Sequence, residues 1–130
     1  MNFDTLVQKR MFLLIILILM ISTYFGGTEP VGVNKTVHWQ WDLSNWVLYL
    51  KNWSLLLFGF GYGIVALLGH STNKTFSIIH LVILLLLLLV NSILQADLAI
   101  IVILHIISLV VFFVNLLWTI NNRSTKRKNQ

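Results

Sequence analysis

The apolar stretch from Phe76 to Ile120 constrains the fold more than any other feature of the sequence. It is divided near its middle by the short polar break Gln95-Ala96-Asp97. One continuous helix over these 45 residues would be about 67 Å long at a rise of about 1.5 Å per residue, whereas the hydrocarbon core of a bilayer is about 30 Å thick. The stretch therefore predicts two membrane-spanning helices joined in a tight hairpin at residues 95–97.

The composition of the whole chain also predicts an all-α integral membrane protein. Of the 130 residues, 58% are hydrophobic and 10% are charged, whereas about 25% of residues are charged in soluble domains. A transmembrane barrel is excluded because it would show short segments of alternating apolar and polar residues. A span needs about 20 residues, so the length allows four transmembrane helices in one membrane domain over residues 1–130. The chain has no cysteine, which excludes disulfides, thiol catalysis and cysteine-ligated metal clusters.

Four spans are predicted at about residues 10–25, 46–69, 76–94 and 98–120, followed by a basic tail at 121–130. The first span is preceded by Lys9 and Arg10, an arrangement that is also typical of a secretory signal peptide. Thr23-Tyr24-Phe25 is a poor cleavage site, so we interpret this segment as a retained span. Gly26-Gly27 is predicted to end it, because glycine permits a turn at low steric cost.

An amphipathic stripe leads into the second span. Trp39, Trp46 and Trp53 alternate with leucines at spacings of four and three residues, which predicts the apolar face of a helix. Tryptophan suits the headgroup layer, where its ring remains in an apolar environment and its indole N–H can still donate a hydrogen bond. We therefore expect an interfacial helix that continues into the second span, with Lys51 extending its ammonium group toward the same interface.

The second span also contains a pair of glycines at the spacing of a membrane-helix packing motif. Gly59 and Gly63 are four residues apart, and small residues at this spacing let another helix approach closely. The pair predicts a contact face on the second span.

Basic residues are distributed unequally between the two predicted sides of the membrane. Four spans place both ends of the chain and the link between the second and third spans on one side, together with seven of the nine Lys and Arg residues. By the positive-inside rule both termini are predicted to be cytoplasmic, in a plasma or inner membrane or its organelle equivalent. The tail can also attract anionic lipid headgroups, at about 1 kcal/mol per Lys or Arg, although setting topology is its simpler role. No nucleic-acid partner is expected, because the basic residues lie at membrane edges rather than on one folded face.

The two hairpin helices each carry their polar residues on one side, at about 100° per residue. We call this set the polar seam, and because unpaired polar groups are costly in hydrocarbon we expect it to face protein rather than lipid. A turn at Ala96 would bring Ser77 and His80 near Asn115 and Phe112, and would place His105 near the leucine run. The seam comprises Ser77, His80, Asn91 and Gln95 on the third span and Asp97, His105, Ser108, Asn115 and Thr119 on the fourth.

Two histidines of the polar seam, His80 and His105, are candidates for holding a haem or pigment. Their predicted depths in the membrane differ by roughly 10 Å at about 1.5 Å per residue, so the two cannot be axial ligands of one iron. A cofactor held by one histidine, or shared with a second subunit, remains open. Interhelical hydrogen bonding is the simpler interpretation of the seam, and no cofactor is favoured.

The acidic residues argue against a proton-coupled exporter. The four acids, Asp4, Glu29, Asp42 and Asp97, all fall at helix ends or in loops, whereas such transporters usually carry a carboxylate within the membrane. Catalysis is not expected either, because the sequence offers no nucleophile beside a base, no carboxylate pair and no cluster at metal-ligand spacing.

These patterns favour a non-catalytic accessory or structural subunit of a larger membrane complex, binding partner helices and lipid. The glycine pair, the tryptophan stripe and the polar seam are three surfaces for partners, more than one small set of helices can cover. Two alternatives stay open: a self-associating small pore or carrier lined by the neutral seam, and a cofactor-holding electron-transfer subunit.

Overall fold

A computed structural model of the chain describes residues 2–25, 46–92 and 98–129; the side chains of 23–25, 46–52, 91, 92 and 98 are outside the description. Within these ranges all regular structure is helical, as the composition predicted. The five helices are α1 (Phe3–Lys9), α2 (Met11–Phe25), α3 (Trp46–Leu67), α4 (Lys74–Ser92) and α5 (Leu98–Lys128).

The four longer helices pack around a shared apolar core. α2 packs against α3 and α4, and α5 also packs against α3 and α4, so that the order around the core is α2, α3, α5, α4. Phe58 and Tyr62 of α3 meet Phe112 of α5 in this core, and leucines and isoleucines fill the rest. The buried apolar residues are Met11, Ile15, Ile18, Leu55, Phe58, Tyr62, Ile83, Leu84, Leu87, Ile101 and Phe112.

The outward faces of these helices are apolar as well. Large hydrophobic side chains are exposed on all four, among them Met20 on α2, Phe60 on α3, Leu85 on α4 and Val110 on α5. A helix that is hydrophobic on every side is typical of a membrane environment or of a large protein's core.

One of the described helices is long and apolar enough to cross a membrane, over Ala99–Lys128. A second qualifies only when Phe3–Lys9 and Met11–Ser22 are taken together across their 87° bend, and the apolar segments Trp53–Leu67 and Lys74–Val90 are shorter. Length and composition therefore support one membrane-spanning helix directly.

The sequence did not predict α1, which lies nearly perpendicular to α2. The chain turns by 87° at Arg10, whose φ of −132° and ψ of 28° are not helical. Asp4 in the first turn and Lys9 in the last both suit the helix dipole, and Val7 is fully buried against the other helices. The first apolar helix thus begins at Met11, and α1 packs against α4.

The link between α3 and α4 is fixed by a cap at each end. α3 ends in a Schellman motif, with Gly69 at φ +70° and with hydrogen bonds from the His70 amide to Val65 and from the Gly69 amide to Ala66, both 3.0 Å. Asn73 caps α4, since its Oδ1 accepts from the amides of Thr75 (2.9 Å) and Phe76 (3.3 Å). α4 therefore begins at Lys74, two residues before the predicted span.

α5 continues through most of the predicted tail and ends at Lys128. Residues 121–128 contain neither glycine nor proline, so nothing in this segment stops the helix. Lys126, Arg127 and Lys128 occupy the last turn, where positive charge complements the helix dipole. The basic tail is thus an extension of the last apolar helix.

The N-terminal segment, the α3–α4 link and the C-terminal part of α5 lie at the same end of the packed helices. Contacts from Thr72 to Gln8 and from Asn73 to Asn115 join the three parts, and Lys74 Nζ lies 2.8 Å from Asp4 Oδ2. We call this the basic end, because it gathers Lys9, Arg10, Lys74, Arg123, Lys126, Arg127 and Lys128.

Candidate functional site

Asn115 is the centre of a polar network inside the packed helices. Its side chain is completely buried and uses both amide hydrogens: Nδ2 donates to Ser77 Oγ (2.9 Å) and to Tyr62 Oη (3.2 Å). Its Oδ1 accepts from the Asn73 amide at 3.1 Å. One side chain on α5 thereby contacts α3, α4 and the link between them.

One arm of the network runs from Tyr62 through His80 to Ser108. Tyr62 Oη lies 2.7 Å from His80 Nδ1, and His80 Nε2 lies 2.9 Å from Ser108 Oγ. The Tyr62 hydroxyl already accepts from Asn115, so its own hydrogen is satisfied if it donates to His80 Nδ1. We therefore infer a neutral His80 with its hydrogen on Nε2, donating to Ser108.

The second arm runs from Ser77 to the backbone of α1. Ser77 Oγ lies 2.7 Å from Thr72 Oγ1, which in turn donates to the Gln8 carbonyl at 3.1 Å. Because the Thr72 hydroxyl donates to Gln8, the Ser77 hydroxyl must be the donor in its bond with Thr72. The Thr72 amide also donates to the Gln8 carbonyl, at 3.0 Å. This satisfies a carbonyl at the end of α1 that has no partner within its own helix.

Aromatic rings surround the histidine of this network. The ring of Phe58 meets His80 edge-on with centroids 4.6 Å apart, and Phe112 packs against both Phe58 (4.9 Å) and Tyr62 (5.3 Å). Gly61 makes room for Phe112, because a Cβ at position 61 would overlap the Phe112 ring and lie 2.9 Å from Cε2. The His80 side of the polar network is thus surrounded by packed aromatic rings.

The glycine pair predicted as a contact face behaves differently from Gly61. A Cβ on Gly59 would make an ordinary contact of 3.6 Å with Ile15 on α2, and a Cβ on Gly63 would meet nothing within 4 Å. Among the described glycines, the tightest approach is therefore at the glycine between the two, since Gly61 faces the core. Gly63 lies beside open space.

His105 lies in a different environment, next to a small cavity of about 10 Å³. Its Nδ1–H donates to the Ile101 carbonyl of the same helix at 2.8 Å. Ser22 and Ser54 also line this space, and Ser22 Oγ is buried without a hydrogen-bond partner. We call this space the serine cavity; Ile18, Leu55, Phe58, Leu84, Leu87 and Leu88 complete its wall. Its volume is about the smallest that can hold one water molecule.

The structure brings together most of the described members of the polar seam. Ser77, His80, Ser108 and Asn115 are directly connected in the polar network, Thr119 donates from Oγ1 to the Asn115 carbonyl at 2.8 Å, and His105 is buried at the serine cavity. The Ser77–Asn115 contact and the His80–Phe112 contact, with ring centroids 6.0 Å apart, are those expected from a hairpin turning near Ala96. Gln95 and Asp97 lie outside the described residues, as does the side chain of Asn91.

The predicted membrane-interface residues are described only in part. Trp53 on α3 is 49% exposed. Trp46 and Lys51 lie within α3, but their side chains are outside the description, and Trp39 precedes the described part of that helix.

Sequence reasoning missed four members of the polar network: Gln8, Tyr62, Thr72 and Asn73. Tyr62 could have been found, because a buried tyrosine hydroxyl usually has a hydrogen-bond partner and position 62 lies well inside a predicted span. Thr72 and Asn73 were assigned to a polar link with no expected contacts. Gln8 contributes only its carbonyl, so its side-chain identity carries no signal.

This arrangement suits hydrogen bonding that holds the helices together better than it suits catalysis or proton transfer. Asn115 donates in both directions, and an amide does not pass a proton from one side to the other, so the two arms do not form a single proton wire. Both ring nitrogens of His80 are engaged, so metal ligation would break a buried hydrogen bond. Within the described ranges no group of three or more His, Cys, Asp or Glu side chains is placed to hold a metal ion.

Comparisons with known proteins identify no relative of the chain. A scan against protein-family models, a search of curated proteins and a search of solved structures each return no match to the chain.

Proposed function

We propose that the chain is a four-span integral membrane protein that acts as a non-catalytic accessory or structural subunit of a larger membrane complex. The observation that carries this proposal is the inversion of polarity in the helices. Asn115, His80 and Ser77 are fully buried, while Phe60 and Leu67 are exposed by 73% and 89%. Such an inside-out distribution is unfavourable in water and favourable in lipid.

The total lengths of the helices are compatible with four spans in a single bundle, although the apolar segments of α3 and α4 are shorter than that of α5. α3, α4 and α5 have 22, 19 and 31 residues, and a span needs about 20. α2 has 15 residues up to Phe25, where the first described segment ends. Because the positive-inside rule places Lys and Arg in the cytoplasm, the basic end is the cytoplasmic end in this proposal, with both termini there.

The outward face of α3 is the surface we assign to a partner helix. Phe60 and Leu67 project from it, and the open space beside Gly63 would let a second helix approach closely. The polar seam does not serve this role, because its described members bond within the chain. The partner contact is therefore apolar and close-packed, and other subunits or further copies of the chain are the candidates.

Purification in a mild detergent tests the subunit proposal. We expect the chain to co-purify with other membrane proteins at a fixed stoichiometry, measured by native mass. Gly63→Leu should release these partners because it fills the space beside α3, whereas Val110→Leu, at an exposed position of α5, should not. Recovery of the wild-type chain as a clean monomer would contradict the proposal.

The absence of cysteine from the chain permits a direct test of topology. A single Lys128→Cys variant should react with a membrane-impermeant maleimide only after the cytoplasmic face is opened. A Gln130→Cys variant serves as a second reporter on the same side. Labelling of either from the outside of intact cells would refute the proposed orientation, and release of the protein by alkaline carbonate would refute membrane integration.

The two alternatives receive less support from the geometry. A pore lined by the polar seam would need Ser77, Ser108 and Asn115 to face a lumen, but all three are fully buried within one chain. A homo-oligomer with solute flux in liposomes would nevertheless favour the pore. A cofactor on His80 would have to replace Tyr62 or Ser108, and a visible absorption band in the purified protein would favour that alternative.

A further inference from the structure

We propose that a cleft at the basic end is a binding site for a phosphate group, carried by an anionic phospholipid. The cleft has a volume of about 260 Å³ and lies between the α3–α4 link and the last turns of α5. We call it the basic cleft; the residues that carry the argument are His70, Ser71, Asn122, Arg123, Lys126 and Arg127. Because it is smaller than most pockets for drug-sized ligands, it suits a headgroup-sized anion.

Three cations of α5 face the same cleft. Lys126 and Arg127 lie three and four residues after Arg123, which places all three on one side of the helix. All three line the cleft. None of the residues that line it is acidic. Among the described residues Asp4 is the one acidic side chain, and it is paired with Lys74. The cleft therefore carries three positive charges with no acidic side chain among its lining residues.

The opposite wall supplies hydrogen-bond donors on a fixed backbone. The Schellman motif at Gly69 holds the link in place, and Ser71 contributes a hydroxyl to the cleft. His70 also lines the cleft, and its Nε2 is buried without a hydrogen-bond partner. A buried polar atom without a partner is unfavourable, so a small rotation of the His70 imidazole that brings Nε2 to a phosphate oxygen in the cleft would gain a hydrogen bond. Arginine pairs with phosphate through two parallel hydrogen bonds.

Topology setting and helix-dipole stabilisation explain basic residues near the C-terminal end of α5 wherever they point. They do not explain why three of them share a cleft with an unpartnered imidazole nitrogen. A phosphate ligand explains both observations. The charges and the unpartnered nitrogen thus point to a site rather than to a generally basic tail.

The depth of the cleft favours a lipid as the source of the phosphate. α5 has 31 residues and is about 46 Å long at about 1.5 Å per residue, which exceeds a hydrocarbon core of about 30 Å. If its apolar part spans the membrane, the turn that carries Arg123 lies in the headgroup layer. This choice of source rests on the proposed membrane integration, whereas the phosphate chemistry does not.

Binding to the full chain in a neutral detergent tests the proposal. The probes are a short-chain phosphatidylglycerol, the zwitterionic short-chain phosphatidylcholine and inorganic phosphate, each titrated at about 0.15 M salt, where exposed charges beyond about 8 Å are screened. We expect phosphatidylglycerol to bind tightest. The triple variant R123Q/K126Q/R127Q should weaken it about 100-fold, from about 1 kcal/mol per cation.

A matched triple variant tests whether binding depends on the residues of the cleft or only on the total positive charge of the basic end. K9Q/R10Q/K128Q removes the same charge from the basic end at exposed residues that do not line the cleft, and should weaken binding by no more than about threefold under this screening. His70→Phe leaves every Lys and Arg in place and should still weaken binding about tenfold, through loss of one charge-assisted hydrogen bond. Circular dichroism checks that all variants remain helical.

The outcomes answer three separate questions: whether the cleft binds phosphate, whether that phosphate comes from a lipid, and whether the protein is integral to a membrane. Equal losses in the two triple variants, or no binding of any probe, would overturn the basic cleft as a site. Inorganic phosphate that binds as tightly as the lipid and shows the same variant pattern would support the phosphate site and reassign its source to solution. This arm is informative even if alkaline carbonate releases the protein and the membrane proposal fails.

Discussion

The two halves of the protein interior are built on different principles. Toward the basic end, the polar network joins α1, α3, α4 and α5 through directed hydrogen bonds around Asn115. Around the serine cavity, leucines and isoleucines provide the contacts, and Ser22 has a buried hydroxyl with no partner. One half is defined by matched donors and acceptors, and the other by apolar packing that leaves a small void.

If the helices lie in a membrane, as proposed above, this difference matters because lipid changes which interactions determine how helices associate. Apolar side chains gain little from leaving lipid for a protein interior, so packing and interhelical hydrogen bonds must determine how the helices associate. A hydrogen bond has a direction and a fixed length, whereas leucine contacts tolerate small shifts. We therefore infer that the polar network sets the positions of the helices and that the half around the serine cavity follows.

The largest expected effect comes from removing the centre of the polar network. Asn115→Leu breaks three side-chain hydrogen bonds, to Ser77, Tyr62 and the Asn73 amide. At about 0.6 kcal/mol for each bond between membrane helices, the free energy of unfolding should fall by about 2 kcal/mol. Circular dichroism during titration with SDS in mixed micelles measures it. Asn121→Leu, at an exposed position of the same helix, is the control, and an equal loss in both variants would show that the network does not dominate.

The second prediction compares two glycines of α3. Gly61→Ala should destabilise the protein by about 1 to 2 kcal/mol, since overpacking against the buried Phe112 ring outweighs the better helix propensity of alanine. Gly63→Ala should leave stability unchanged or raise it by up to about 1 kcal/mol, because its Cβ meets nothing. The same SDS titration measures both variants. A tolerated Gly61→Ala would mean that this aromatic packing is not tight.

The third prediction compares a serine from each half. Ser77→Ala removes the hydrogen bonds to Asn115 and Thr72 and should cost about 1 kcal/mol. Ser22→Ala removes a buried hydroxyl that has no partner, and should raise the free energy of unfolding by about 0.5 kcal/mol. The comparison is diagnostic because the two substitutions should change the free energy of unfolding in opposite directions. A loss in both variants would indicate that a water in the serine cavity bonds to Ser22.

The smallest effect is expected at the surface of the basic end. Lys74 and Asp4 form an ion pair in which each side chain is nearly half exposed, and such pairs contribute little because water and salt screen them. Asp4→Asn should lower the free energy of unfolding by less than about 0.5 kcal/mol at low salt, and by nothing measurable at about 1 M salt. A salt-independent loss would show that Asp4 acts through something other than this pair.

The sequence predicted the neighbours within the hairpin and not those across the core. Counting outward from Ala96 is enough to bring Ser77 to Asn115 and His80 to Phe112, because an antiparallel turn fixes which residues share a level. Tyr62 belongs to a helix that is not adjacent to α4 around the core, and its rotation about its own axis depends on all the other contacts. Residue spacing along the chain does not determine that rotation, so Tyr62 was not predicted as a hydrogen-bond partner of His80.

A helix end was predicted where a particular residue type marks it. It was missed where it is determined by a contact with another helix. The α3–α4 link was placed correctly around Gly69 because glycine favours the positive φ of a helix end. The bend at Arg10 has no glycine or proline to signal it, and it depends on the buried Val7 and on the contact of Gln8 with Thr72. The basic cleft was predicted only as a basic tail, because its second wall, which includes His70, belongs to the α3–α4 link and is distant from Arg123 and Arg127 in the sequence.

The bond between Thr72 and Gln8 also has a consequence for biosynthesis. The two residues are separated by 64 positions, and ribosomes add about 5–20 residues per second. The acceptor in α1 is therefore made about 3 to 13 seconds before its donor exists. During that interval α1 has no docking partner in α4, and the last carbonyls of α1 depend on water. α1 can therefore reach its final position only after the α3–α4 link has been made.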